Sequence, residues 1–319
     1  MRWSSYVSPT DGAEHAAVLV DGHLHGLRGQ DGGGTRLLDL LGDDGERLAV
    51  AAERAVADPV DVLPLDGLQD AGARLLAPVP VPPSVRDFYA YEGHVRTFKQ
   101  ASGQKMDPDW YELPVFYFQN PAAVRGARDD VAVAPGARRF DYELEFAAVI
   151  GRGGSDLSPD EAEQHVAGYL LLCDWSARDL QARESRQMMG PVKGKDTATS
   201  LGPYLVTPDE LEPFRGGNAF SLRLTASVNG THYSSGDAGD LYWSFGQMIA
   251  YASRGTSVRP GDLIGSGTVG TGCILELSTV HGADRYPWLT PGDEVRLEGE
   301  QLGAITARIT PPVPVVPLR

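Results

Sequence analysis

Apolar and polar positions alternate along much of the chain with the period of strands more often than of helices. Ala17-Val18-Leu19-Val20 reads as a strand, and Asp21-Gly22 behind it is a hairpin signal, because both residues tolerate positive φ. Leu222, Leu224, Ala226 and Val228 alternate up to Asn229-Gly230, which predicts a second hairpin. Residues 140–150 read as a strand closing at Gly151, and residues 169–173 as a buried one. Helical spacing is confined to short stretches, around residues 37–41 and 46–57. Ser158-Pro159-Asp160-Glu161 and Thr207-Pro208-Asp209-Glu210 look like capping boxes with proline at the first helical position. Residues 244–253 read as a helix ended by Gly255. Pro260-Gly261-Asp262 and Pro291-Gly292-Asp293 each introduce a strand. The run Ala77-Pro78-Val79-Pro80-Val81-Pro82-Pro83 excludes a helix, since each proline removes an amide donor. It separates a small N-terminal α+β unit, residues 1–77, from a main domain, residues 78–319. Without regular βαβ alternation, the pattern predicts a strand-rich α+β fold.

Composition narrows the function classes. Lys and Arg total 28 against 43 Asp and Glu, a formal charge of −15, so a phosphate backbone would be repelled and no nucleic-acid partner is expected. No apolar run reaches the length of a membrane span, and Met1-Arg2-Trp3-Ser4-Ser5 leads into no apolar signal segment, so a soluble cytoplasmic protein is expected. The two cysteines, Cys173 and Cys273, lie in apolar runs and read as buried free thiols.

Four segments could carry chemistry. In Asp141-Tyr142-Glu143-Leu144-Glu145-Phe146, Glu143 and Glu145 fall on one strand face and Tyr142, Leu144 and Phe146 on the other. Paired carboxylates repel unless water screens them or a cation lies between them. A solvated face is the plain alternative, but Ala147, Val149 and Gly151 continue the glutamate face as apolar, and buried paired carboxylates want a metal. Asp174 ends an apolar strand, with Arg178 and Gln181 following at helical spacing; a structural Asp–Arg pair is the alternative there. His94 follows Asp87-Phe88-Tyr89 by a few residues and could be catalytic or a hydrogen-bonded structural histidine, while His23 and His25 read as surface. Gly265-Ser266-Gly267-Thr268-Val269-Gly270 matches a dinucleotide fingerprint. The segment after it, Cys273-Ile274-Leu275-Glu276-Leu277, reads as strand, so no nucleotide is expected; a tight turn is.

Taken in order, these segments, with Gly194-Lys195, Gly267-Thr268 and Ile274-Leu275-Glu276-Leu277, resemble the fumarylacetoacetate hydrolase family over most of residues 80–310. The resemblance implies a β-roll or β-sandwich catalytic domain of fumarylacetoacetase type, a homodimer, and a divalent cation, Mg²⁺ first, with Mn²⁺ or Ca²⁺ as options. Asp87, Glu143, Glu145 and Asp174 match the metal ligands, and His94 with Glu276 the water-activating pair. Arg178 and Lys195 match catalytic cations, and Tyr117, Gln181 and Thr268 match substrate-binding residues; Thr199 matches a loop threonine. An arginine nine residues beyond the family histidine is Gly103 here, with Lys99 the nearest cation, and a tyrosine after the glutamine is Ser185. The function expected is metal-dependent hydrolysis of a C–C bond in a 1,3-dioxo acid, a small oxo-acid substrate. The alternatives are a decarboxylase, isomerase or hydratase on the same metal site, or a non-catalytic binding protein on the same fold.

Overall fold

A computed structural model of the chain describes residues 1–29, 31–101 and 103–319. Two sheets dominate it. The larger has 13 strands, ordered along its main path Pro59–Pro64, His23–Leu27, Glu14–Val20, Arg2–Val7, Leu205–Val206, Val166–Asp174, Glu143–Ile150, Leu263–Cys273, Val85–Phe88 and Phe116–Gln119. The smaller has five strands, in the order Thr231–Asp237, Arg223–Val228, Glu294–Gly299, Gly303–Thr310 and Val131–Ala132. Most neighbours are antiparallel, and Leu263–Cys273 runs parallel to Val85–Phe88. The strand-rich α+β architecture expected from the periodicity is therefore present.

Side-chain parity along Glu143–Ile150 explains the layering. Leu144, Phe146, Ala148 and Ile150 enter one core, shared with Leu224, Ala226, Leu297 and Ile305 of the smaller sheet. Ala147 and Val149 enter a second core on the opposite face, beneath Trp3, Leu48, Ala51 and Ala55. The helix Glu46–Ala57 supplies the last three of these residues and so covers the back of the sheet. The N-terminal strands do not form a sheet of their own: Arg2 and Trp3 pair with Val206 and Leu205.

Local chemistry sets most of the predicted elements. Asp21 and Gly22 both have positive φ, as do Asn229 and Gly230, and each pair joins two antiparallel strands. Both capping-box bonds form at Ser158, before Pro159–Glu163, and at Ser244, before Phe245–Ser253. Thr207 departs from expectation. Its hydroxyl caps nothing on the helix Pro208–Leu211, but accepts from the N-terminal ammonium of Met1 at 2.5 Å and donates to the Met1 carbonyl. The first strand has captured the cap.

A second departure concerns residues 263–281. No tight turn forms at the glycines: the strand Leu263–Cys273 runs through all of them, with register shifts against Glu143–Ile150. Gly267 has a φ of +77°, and a Cβ there would meet the Phe88 carbonyl oxygen at 2.3 Å. Residues 274–277, which alternation presents as strand, open the helix Ile274–His281 instead. Tertiary capping decides the matter, because the Asp141 carboxylate accepts from the amides of Ile274 at 2.7 Å and Leu275 at 3.0 Å. With a carboxylate already on those amides, this helix start has no vacancy for a phosphate.

Among the described residues, no helix is long and apolar enough to cross a membrane. Cys173 and Cys273 are buried free thiols.

Candidate metal centre and cavity

Three strands of the larger sheet carry the acidic residues to one point, with the glycine strand Leu263–Cys273 lying between two of them. Asp87 lies in Val85–Phe88, opposite Gly265 and Tyr117; Glu143 and Glu145 lie at the start of Glu143–Ile150; Asp174 ends Val166–Asp174. One carboxylate oxygen from each lies within 4.8 Å of the others, and all four residues are buried. The glycine strand permits the approach: a Cβ at Gly265 would stand 2.4 Å from Asp87 Oδ1.

Burial sets the electrostatics of this cluster. It pushes Asp87 up to about 6 and Asp174 well above the usual carboxylate range, against the pull of Lys195. Glu145 is raised well up by burial and then by the charges of Asp87 and Glu143. Glu143 goes the other way: burial raises it, but Arg178 and Lys195 outweigh that and hold it below its ordinary value. Lys195 forms ion pairs with Glu143 and Asp174. Arg178 binds Asp141 through Nε at 2.7 Å and Glu143 through Nη2 at 2.8 Å, so its structural partner is Asp141, not Asp174.

These pairs leave oxygens over. Both carboxylate oxygens of Glu145, and Oδ1 of Asp174, are buried without a hydrogen-bond donor. An orphaned buried carboxylate is costly, and a cation removes the cost. The four-carboxylate set, free of thiolate and imidazole, fits a hard, oxygen-preferring divalent ion.

The catalytic candidates border the same space. A cavity of about 650 Å³ is lined by Asp87, Glu143, Glu145, His94, Tyr117, Arg178, Gln181, Lys195 and Thr268, among others. His94 sits in the first turn of the helix Glu92–Ala101, and its Nδ1 is 2.8 Å from Glu276 Oε2. Glu276 is buried and also accepts from the Thr271 amide at 2.8 Å. The rings of Tyr89 and Phe98 meet His94 edge-on at 5.6 and 4.7 Å. Gln181 Oε1 accepts from Arg178 Nη1 at 3.2 Å. The Tyr117 hydroxyl donates to Asp174 and to Asp87, the latter at 3.1 Å.

The structure thus brings together all eleven residues singled out from the sequence, ten on or beside the cavity wall and Glu276 behind His94. Thr199 lies in a strand rather than a loop and donates to Gln119 Oε1 at 2.9 Å. Two positioning residues escaped the sequence reading. Gln119 donates to Tyr117 Oη at 3.0 Å, and Asp141 links Arg178 to the helix carrying Glu276. Asp141 could have been found, since it has the same strand parity as Glu143 and Glu145. Gln119 gave no signal. His23 is exposed and His25 half-buried, and neither is among the residues lining the cavity.

Comparison with known proteins agrees with this geometry. Residues 84–310 match the family model described as fumarylacetoacetate hydrolase, C-terminal. Fumarylacetoacetase of Arabidopsis thaliana is 29% identical over 294 residues, covering 72% of this chain and 69% of that one. A mitochondrial oxaloacetate tautomerase of Homo sapiens is 29% identical over 306 residues, covering 92% of this chain and 89% of its own. Among solved structures, a fumarylacetoacetate hydrolase from psychrophilic Exiguobacterium antarcticum superposes with a TM-score of 0.71 at 26% identity, covering 98% of this chain and 99% of that one.

Proposed function

Because the chain belongs to the fumarylacetoacetate hydrolase family, whose members are enzymes, we propose that it is a divalent-metal-dependent hydrolase of a C–C bond in a 1,3-dioxo acid. The observation that carries this reading is the buried His94–Glu276 pair on the edge of a carboxylate cluster. Asp87, Glu143, Glu145 and Asp174 would hold the cation, which when bound supplies Lewis-acid polarisation of the substrate's oxo and enolate oxygens.

The chain's own residues account for the proton traffic. Glu276 holds Nδ1 of His94, which fixes the ring and leaves Nε2 to take a proton from water. Glu276 also stabilises the imidazolium that results. The hydroxide adds to the distal carbonyl carbon, and Lys195 and Gln181, which line the same cavity, stabilise the oxyanion. The C–C bond then breaks, its electron pair leaving as an enolate, and the proton held by His94 returns to that carbon. One water is consumed and two acids or an acid and a ketone are released. Arg178, fixed by Asp141, offsets the negative charge at Glu143.

A second reading shares the metal site. Tautomerisation, isomerisation or decarboxylation of an oxo-acid needs enolisation but no hydroxide, and the human tautomerase aligns over 89% of its length. Incubation of the Mg²⁺-supplemented protein with acylpyruvates, fumarylpyruvate, fumarylacetoacetate and oxaloacetate, with product identification, separates the two. Uptake of one water with release of two organic fragments supports hydrolysis; a rearranged product of unchanged mass, or release of CO₂ with the shortened acid, supports the second reading.

A further inference from the structure

Three lysine or arginine side chains line the cavity among the described residues: Arg139, Arg178 and Lys195. Two are committed, Arg178 to Asp141 and Glu143, and Lys195 to Glu143 and Asp174. Arg139 is not. No carboxylate stands within ion-pair distance of it among the described residues, and its guanidinium lies over the Trp288 ring, 5.9 Å from the centroid. Its backbone is nonetheless anchored to the site. The Arg139 carbonyl accepts from the Arg178 amide at 2.8 Å, and Asp141 is two residues on.

An unpaired guanidinium on the wall of a cavity whose other two cations are already held by carboxylates is a receptor for an anion. The aromatic ring beneath it restricts its orientation, and its planar fork matches a carboxylate. The wall also includes the apolar side chains of Phe98, Val115 and Leu275, which would accompany a hydrocarbon stem rather than a second polar group. We propose that Arg139 binds the distal carboxylate of the substrate, so that the preferred substrates are oxo-dioic acids whose head group sits at the four-carboxylate site. This assignment rests on the oxo-acid reading of that site and adds a specificity determinant to it.

The test is a binding measurement that needs no turnover. Full-length protein loaded with Mg²⁺ is titrated calorimetrically with 2-oxoadipate and with 2-oxohexanoate, which differ only in a terminal carboxylate against a methyl group. Wild type should bind the diacid about tenfold more tightly. Arg139→Gln should abolish the difference by weakening 2-oxoadipate alone, and Arg139→Lys should keep part of it, retaining the charge but not the fork. No preference in wild type, no binding of the diacid, an equal loss for both ligands in Arg139→Gln, or an unchanged preference in that variant would each overturn the assignment. A protein that shows the preference but cleaves no C–C bond would overturn the hydrolytic reading and leave Arg139 standing; hydrolysis without the preference would do the reverse.

Discussion

At the scale of single residues, the site is a problem in charge. Asp87 shows how protonation and cation binding oppose each other. Burial raises its carboxyl from 3.8 to about 6, so below about pH 6 the folded metal-free protein favours the neutral form. Its contribution to stability is full below 3.8 and is lost as the pH rises through about 6. A cation needs the charged form, so the stability it adds has the opposite sign of pH dependence and grows through the same window. Thermal melts with and without Mg²⁺ at about pH 5 and about pH 7.5 check this. The Mg²⁺-induced rise in Tm should be larger at the higher pH by about 2 °C or more. An equal rise at both values would mean that these acids are already ionised without the ion.

At the scale of elements, the glycine strand Leu263–Cys273 allows the ligands to converge. Gly265→Ala would place a methyl 2.4 Å from Asp87 Oδ1 and 3.4 Å from Glu145 Oε2. One of the ligands must move, and overpacking of this kind costs about 1–3 kcal/mol. We expect Mg²⁺ affinity, measured by calorimetry, to fall about tenfold or more while the variant stays folded; unchanged affinity would show that the strand is a bystander. The same strand marks the limit of what the sequence made legible. Turn pairs such as Asn229-Gly230 and the cap at Ser158 act through neighbours in the chain, so residue types alone predict them. Strand parity likewise placed Glu143 and Glu145 together and Ala147 and Val149 beneath the second core. The helix Ile274–His281 was illegible because its start is held by Asp141, 133 residues away. Thr207 misled for a similar reason, its hydroxyl being taken by Met1, 206 residues away. Roles in the metal set and the pairing of His94 with Glu276 came from motif resemblance, since no local pattern ties residues 182 positions apart.

At the scale of the whole molecule, one sheet joins the N-terminal segment to the part that matches the family model. Trp3 pairs with Leu205, and Trp3, Leu48 and Ala55 share a core with Val149, Leu170 and Leu263. Removing residues 1–77 would uncover that apolar face, at about 25 cal/mol for each Å² exposed. The segment should therefore unfold with the rest. Scanning calorimetry of the full chain should give one transition, and a truncated chain starting at residue 78 should lose solubility or melt well below it. A separate low-temperature transition for the N-terminal segment would instead make it an independent domain.

The proposed hydrolysis depends on His94, held by Glu276, to activate the water that breaks a C–C bond. Steady-state kinetics of His94→Ala at saturating Mg²⁺, on whichever 1,3-dioxo acid the wild type cleaves, tests it most directly. The kcat should fall by about 10²- to 10⁴-fold. Mg²⁺ affinity should stay within about twofold, because the imidazole is outside the four-carboxylate set. Glu276→Gln should show a related loss, and the double variant should be little worse than either single one, as expected for two groups acting as a unit. Turnover of His94→Ala near the wild-type rate would remove His94 from the reaction and transfer the chemistry to metal-supported enolisation.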